Sequence, residues 1–115
     1  MTPETNRRPI WSIMIPTYER SRYLSAAIES VLAQISEREF NRFQIEVVDN
    51  CSTNKAIESI VSQYKGKVSF YCQPKTVDIY TNWNTCIERA LGIYIHILHD
   101  DDIVGTEFYH RMEIG

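Results

Sequence analysis

Along the chain, the apolar positions keep changing period. "IWSIMI" (10–15) alternates large apolar with small residues and halts at Pro16, which suits a buried strand whose end the proline fixes. In "SRYLSAAIESVLAQI" (21–35) the spacing changes: Leu24, Ile28, Val31, Leu32 and Ile35 recur at helical intervals, with Ser21 as the expected N-cap. "FQIEVVD" (43–49) alternates like a strand. "NKAIESIVSQY" (54–64) is helical, with Ile57, Ile60, Val61 and Tyr64 on one face, Ser52 or Thr53 as cap and Gly66 as terminator. "KVSFYCQ" (67–73) reads as a third strand. "YTNWNTCIERAL" (80–91) reads as a third helix with Trp83, Ile87, Ala90 and Leu91 inward and Gly92 as its C′ glycine. "IYIHIL" (93–98) is a fourth strand, and a further helical signal lies near "TEFYHRM".

The order is βαβαβαβ. Strands alternating with helices predict a Rossmann-like three-layer α/β/α fold around a mainly parallel sheet with right-handed crossovers. If the first three strands wind outward and the fourth returns beside the first, the strand order is 3-2-1-4. Residues 1–9, polar and holding Pro3 and Pro9, are expected to form a disordered tail, leaving 10–115 as the folded unit.

Composition narrows the classes. A chain of 115 residues is one domain at most, and 43% hydrophobic with 23% charged residues is ordinary for a globular protein. A net charge of −3 gives no case for nucleic acid as a partner. No apolar run approaches the ~20 residues of a membrane span, and no signal peptide is visible. Cys51, Cys72 and Cys86 lack CxxC spacing and read as reduced thiols. The expected location is cytoplasmic, free or peripheral to the inner face of the membrane.

The polar chemistry gathers at strand ends. Strand one ends in "PTYER" (16–20), strand two in "DNCSTN" (49–54) and strand four in "HDDD" (99–102). Ligands of open α/β sheets bind beyond the carboxyl ends of strands, where strand order reverses. The 3-2-1-4 order brings these three loops to one crevice, walled by Thr17, Tyr18, Asp49, Asn50, Asp100, Asp101 and Asp102. Three adjacent carboxylates repel one another. Either a hard cation such as Mg²⁺ or Mn²⁺ compensates them and clamps a diphosphate, or they form a solvated turn and helix cap. Asp49 and Asn50 alone are more often a turn than a ligand contact. No G-x-G-x-x-G or Walker A sequence is present, which disfavours a dinucleotide fold or a P-loop.

Taken together, "SIMIPTYER", "YLSAAIESVLAQ", "IEVVDNCSTN" and "NWNTCIERALGIYIHILHDDD" resemble the nucleotide-binding half of the GT-A glycosyltransferases of family 2, from about Ile10 to Asp102. The resemblance implies transfer of a sugar from a nucleotide-diphosphate sugar (UDP, GDP or dTDP type) to a glycan or lipid-linked acceptor in surface polysaccharide synthesis. It places Thr17 and Tyr18 at the base, and Asp49 and Asn50 on the family's Asp-Asp pair. Asn84 falls near the nucleotide, and Asp100, Asp101 and Asp102 fall on a DxD-type motif for Mn or Mg, with Asp101 as direct metal ligand, Asp100 at ribose or metal and Asp102 at metal or donor sugar. Asn50, His99 and Trp83 depart from the family pattern, where acids and an arginine are usual. No residue after Asp102 matches the family's catalytic base; Glu107 and Glu113 suit surface positions.

The chain is therefore expected to supply the donor and metal site and to stop before the acceptor half. A non-catalytic nucleotide-sugar-binding module is the alternative. A phosphoacceptor-type regulatory domain is disfavoured, because the acids cluster after strand four and not strand one. The fourth strand is expected to present an apolar edge through which the chain forms a homo-oligomer.

Overall fold

The computed structural model describes residues 9–105 and 108–114. The expected tail, apart from Pro9, and Glu107 lie outside them. Four strands, β1 (Trp11–Thr17), β2 (Phe43–Asp49), β3 (Ser69–Cys72) and β4 (Tyr94–Ile97), form one all-parallel sheet in the order β3-β2-β1-β4. The helices are α1 (Leu24–Leu32), α2 (Ala56–Ser62), α3 (Ile79–Arg89) and α4 (Phe108–Ile114), with a 3₁₀ turn at Glu37–Arg42. This is the expected α/β architecture and strand order.

Alternation along the strands divides the core between two layers. Trp11, Ile13 and Ile15 of β1 join Ile45 and Val47 of β2 against α1, α2 and α4. On the opposite face Met14 and Val48 pack on Cys86 of α3. Each fully buried Ile, Leu or Val side chain stabilises the fold by roughly 1.5–3 kcal/mol. Burial pushes the Cys86 thiol up to about 12, so it acts as packing. In α1 the buried residues are Leu24, Ala27, Ile28 and Val31, and in α2 Ile57 and Val61, on the faces expected from their spacing.

The helix ends differ from expectation. Tyr23, not Ser21, occupies the N-cap of α1 and makes no side-chain cap bond; Ser21 contributes only its carbonyl, to Leu24 N–H. Neither Ser52 nor Thr53 caps α2. Asn54 accepts from Ala56 N–H there, and the two hydroxyl residues bond other loops. In α3 the inward residues are Asn82 and Cys86, while Ile87 and Leu91 are exposed. Gly92 has no positive φ; its place is set by close approach, since a Cβ there would meet Ser12 N and Trp11 C at 2.8 Å. Gly66, at φ 90°, does end the α2 region in the left-handed conformation.

Pro16 does not end β1, which runs on to Thr17, but it does end one of its two ladders. The carbonyls of Ile10 and Met14 accept from Tyr94 and Leu98 at 2.8 and 3.0 Å, so the even residues of β1 face β4. The next rung needs an N–H on residue 16, and proline has none. Toward β2, pairing continues through Thr17↔Asp49, and Asn50 N–H donates to Thr17 C=O at 2.9 Å. A cleft opens where β1 and β4 part, at the point where strand order reverses.

Candidate functional site

That cleft is a pocket of about 450 Å³, within the range of small-ligand sites. One wall is Pro16–Tyr18 at the end of β1 and another is His99–Asp100 after β4. Asn82 and the segment around Val77 and Ile79 close the third side. A second cavity of about 350 Å³ lies against Glu19–Tyr23, Asp100 and Asp101. Arg20 and Asp100 border both.

Asp100 is only 5% exposed, and both its oxygens are taken. The Thr17 hydroxyl donates to Oδ2 at 2.7 Å, and Arg20 Nη2 donates to Oδ1 at 2.7 Å. The same guanidinium nitrogen lies 3.7 Å from Asp101 Oδ2. Hydrogen bonding and charge attraction from Asp100 raise the pKa of Arg20, keeping it firmly cationic. The repulsion within the triple aspartate is thus met, at least for Asp100 and Asp101, by a cation from the chain itself. Asp101 and Asp102 are exposed, and Asp102 N–H closes a turn onto His99 C=O at 3.0 Å.

Asn50 lines the pocket as a clamp. Its Nδ2 donates to Val77 C=O at 2.7 Å, while its Oδ1 accepts from Val77 N–H at 2.8 Å. Only an amide can satisfy a peptide's donor and acceptor together; a carboxylate accepts but cannot donate. This explains Asn where an acid is expected from the family pattern. Asp49, by contrast, is buried outside the pocket, accepting from Ser52 N–H at 3.1 Å and the Ser52 hydroxyl at 2.6 Å. Behind Val77, Asp78 caps α3 by accepting from Thr81 N–H at 2.7 Å, a bond that lowers its pKa.

Of the residues singled out from sequence, Thr17, Tyr18, Asn50 and Asp100 meet at the pocket, with Tyr18 half-exposed at its rim. Asp101 lines the second cavity. Asp49, Asn84 and Asp102 line neither; Asn84 lies on the exposed side of α3, two residues from the buried Asn82 that does face the pocket. Asn82 Nδ2 donates to Val48 C=O at 3.3 Å and its Oδ1 accepts from Gln73 Nε2 at 3.0 Å. Trp83 packs edge-on against His99 at 5.4 Å between ring centroids, forming one side of the pocket.

Two further residues join the loops. Glu19, at φ 58°, accepts from Thr53 N–H at 2.9 Å and Asn54 N–H at 3.2 Å, tying the loop after β1 to the loop after β2. The Thr53 bond is the main cause of its lowered pKa. Arg20 ties the loop after β1 to the acidic loop. Both tie neighbouring loops together; opposite charge at neighbouring strand ends is a sequence signal for Arg20, and none exists for Glu19, whose partners are backbone N–H groups and a hydroxyl.

Among the described residues, no group of three or more His, Cys, Asp or Glu side chains is gathered to hold a metal ion. Asp101 and Asp102 nevertheless present two solvent-facing carboxylates beside the pocket. Such a hard-oxygen pair fits Mg²⁺ or Mn²⁺ when a diphosphate completes the coordination.

Known proteins resemble this chain in sequence and in fold. The chain is 26% identical over 84% of its length to the poly(ribitol-phosphate) beta-N-acetylglucosaminyltransferase TarS of Staphylococcus aureus, of which it spans 17%. It is 28% identical over 85% of its length to the putative teichuronic acid biosynthesis glycosyltransferase TuaG of Bacillus subtilis, spanning 38% of that protein. The crystal structure of S. aureus TarS 1-349 with UDP-GlcNAc superposes on 90% of this chain with a TM-score of 0.76 at 22% identity, covering 30% of TarS 1-349. The mannosyltransferase PcManGT of Pyrobaculum calidifontis, in complex with GDP-Man and Mn²⁺, gives 0.71 at 19% identity over 84% of this chain and 29% of its own. These two structures share the fold. The model for "Glycosyl transferase family 2" matches residues 12–112, from the first strand through the acidic loop and into α4, and so the chain belongs to glycosyl transferase family 2.

Proposed function

We propose that this chain forms the donor-binding part of a glycosyltransferase that moves a sugar from a nucleoside-diphosphate sugar to an acceptor in surface glycan synthesis. The observation that carries this reading is the pocket at the β1–β4 parting, bordered by the acidic loop, in a chain of this family. The teichoic and teichuronic acid activities in the names of its relatives support the surface-glycan assignment.

Within the pocket, Tyr18 offers a flat ring at the rim for a base. The Asn50–Val77 clamp fixes the wall against which the base rests. Thr17 holds Asp100 toward the ribose and diphosphate. Asp101 and Asp102 are the residues that would hold a divalent cation together with the diphosphate, where it would supply positive charge to the leaving group.

The test is calorimetric titration with UDP, GDP and dTDP, each with and without Mn²⁺, on the wild type and Asp101→Ala. Metal-dependent binding of one nucleotide, lost in the variant, is the expected result and names the base. If no nucleotide binds, the reading fails and the acidic loop is a turn.

A further inference from the structure

Arg20 occupies a position that the donor-site reading leaves unexplained. Its guanidinium bridges Asp100 and Asp101 at 2.7 and 3.7 Å and separates the two cavities. Its side chain is 63% exposed, while that of Asp100 is 5% exposed. The asymmetry matters. An exposed arginine swings into solvent at little desolvation cost, but a buried carboxylate cannot be left without a positive partner. Arg20 can therefore leave only as another cation arrives.

We propose that Arg20 is a resident counter-cation for the acidic loop, exchanged for the divalent metal when the donor binds. Resting on the donor-site reading, the inference adds how that site is controlled. With the pocket empty, the guanidinium neutralises Asp100 and Asp101 and so occupies Asp101, one of the two carboxylates that would hold the metal. A nucleoside diphosphate entering the pocket brings negative charge to the other side of the same guanidinium. Arg20 then turns from the carboxylates to the diphosphate, and the carboxylates become available to the metal. Metal and nucleotide bind together, and the metal alone binds weakly. No other cationic group is hydrogen-bonded or ion-paired to this carboxylate pair among the described residues.

Mn²⁺ binding to the nucleotide-free protein tests this, read from the loss of the free-ion paramagnetic resonance signal. The proteins are the wild type, Arg20→Gln and Arg20→Lys, each checked for folding by a thermal melt. Arg20→Gln should bind Mn²⁺ about tenfold more tightly than the wild type, because removing one competing charge at partly exposed carboxylates is an effect of that order. Arg20→Lys, which keeps the charge, should stay near the wild type. Unchanged or weaker Mn²⁺ binding by a folded Arg20→Gln overturns the proposal. If the wild type meanwhile binds a nucleotide with Mn²⁺, the donor site stands and only the role of Arg20 falls. If the variant tightens Mn²⁺ but the wild type binds no nucleotide, the exchange is overturned together with the donor site.

Discussion

Among the described residues, two of the buried carboxylates are each paired with one arginine, in different regions. Glu46, in the middle of β2, bonds Arg89 at the end of α3; Asp100, beyond β4, bonds Arg20. The carboxylates are equally buried, yet their surroundings differ. Glu46 also accepts from the Ser69 hydroxyl at 2.8 Å, and Arg89 lies over the Tyr71 ring at 4.1 Å from its centroid. That guanidinium is held on a second side by an aromatic face and borders neither cavity. Among the described residues Arg20 has no ring beneath it; it borders two cavities and shares its charge with a second aspartate. The same pair of groups is thus a clasp in one place and an exchangeable contact in the other. What separates them is the second support for the cation and the two cavities that border the exchangeable pair.

The comparison breaks if the two arginines prove equally costly to remove. Arg89→Gln should lose about 3 kcal/mol of stability, the lower end of the range for stranding a buried charge, since Arg89 is itself partly exposed. Arg20→Gln should lose less, about 1–2 kcal/mol, because a cation from solution can take the place of the exposed guanidinium beside Asp100. Urea denaturation at constant m-value measures both.

A smaller effect sharpens the contrast by loosening the pocket's far wall without touching either arginine. Asn50→Asp keeps the acceptor for Val77 N–H but sets a carboxylate oxygen against Val77 C=O. The expected cost is about 1–2 kcal/mol, with faster hydrogen exchange of the Val77 amide and of its neighbours in residues 74–78.

The smallest effect lies beneath α4. Burial depresses the pKa of His96, whose Nδ1 lies 3.0 Å from the Tyr109 hydroxyl. The Tyr109 hydroxyl, itself shifted upward by burial, stays protonated and can donate to the neutral ring. Below the ordinary histidine value of 6.5 the unfolded chain binds more protons at this site than the folded one. Stability should therefore be full above pH 6.5 and fall as the pH drops from there toward the folded pKa. Carboxylate titration is common to wild type and variant, so His96→Gln should flatten the stability profile between about pH 6.5 and 5 relative to wild type.

Most of the fold was legible because periodicity is a local signal. The alternation in 43–49 marks β2 to the residue, and Leu24, Ile28 and Val31 mark the inner face of α1. What failed depended on distant partners. Ser21 and Ser52 have the chemistry of helix caps, but Ser52 is drawn to Asp49 and Glu19 N–H, where strand ends meet. The α3 pattern pointed to Ile87 and Leu91. The buried side instead carries Asn82, because Val48 C=O and Gln73 need a polar partner there. The crevice was legible from strand order and from Thr17, Tyr18, Asn50 and Asp100. Arg20 and Glu19 escaped notice because their partners lie 80 and 34 residues away along the chain.

Pro16 has a mechanical consequence. Where the β1–β4 ladder stops, the sheet has a seam: the segment beyond Leu98 is joined to the strand beside it by side chains and not by backbone rungs. A displacement of the acidic loop therefore has no backbone rung to strand β1 through which to pull on the sheet. One missing amide hydrogen gives the sheet an untied margin on the side of the pocket.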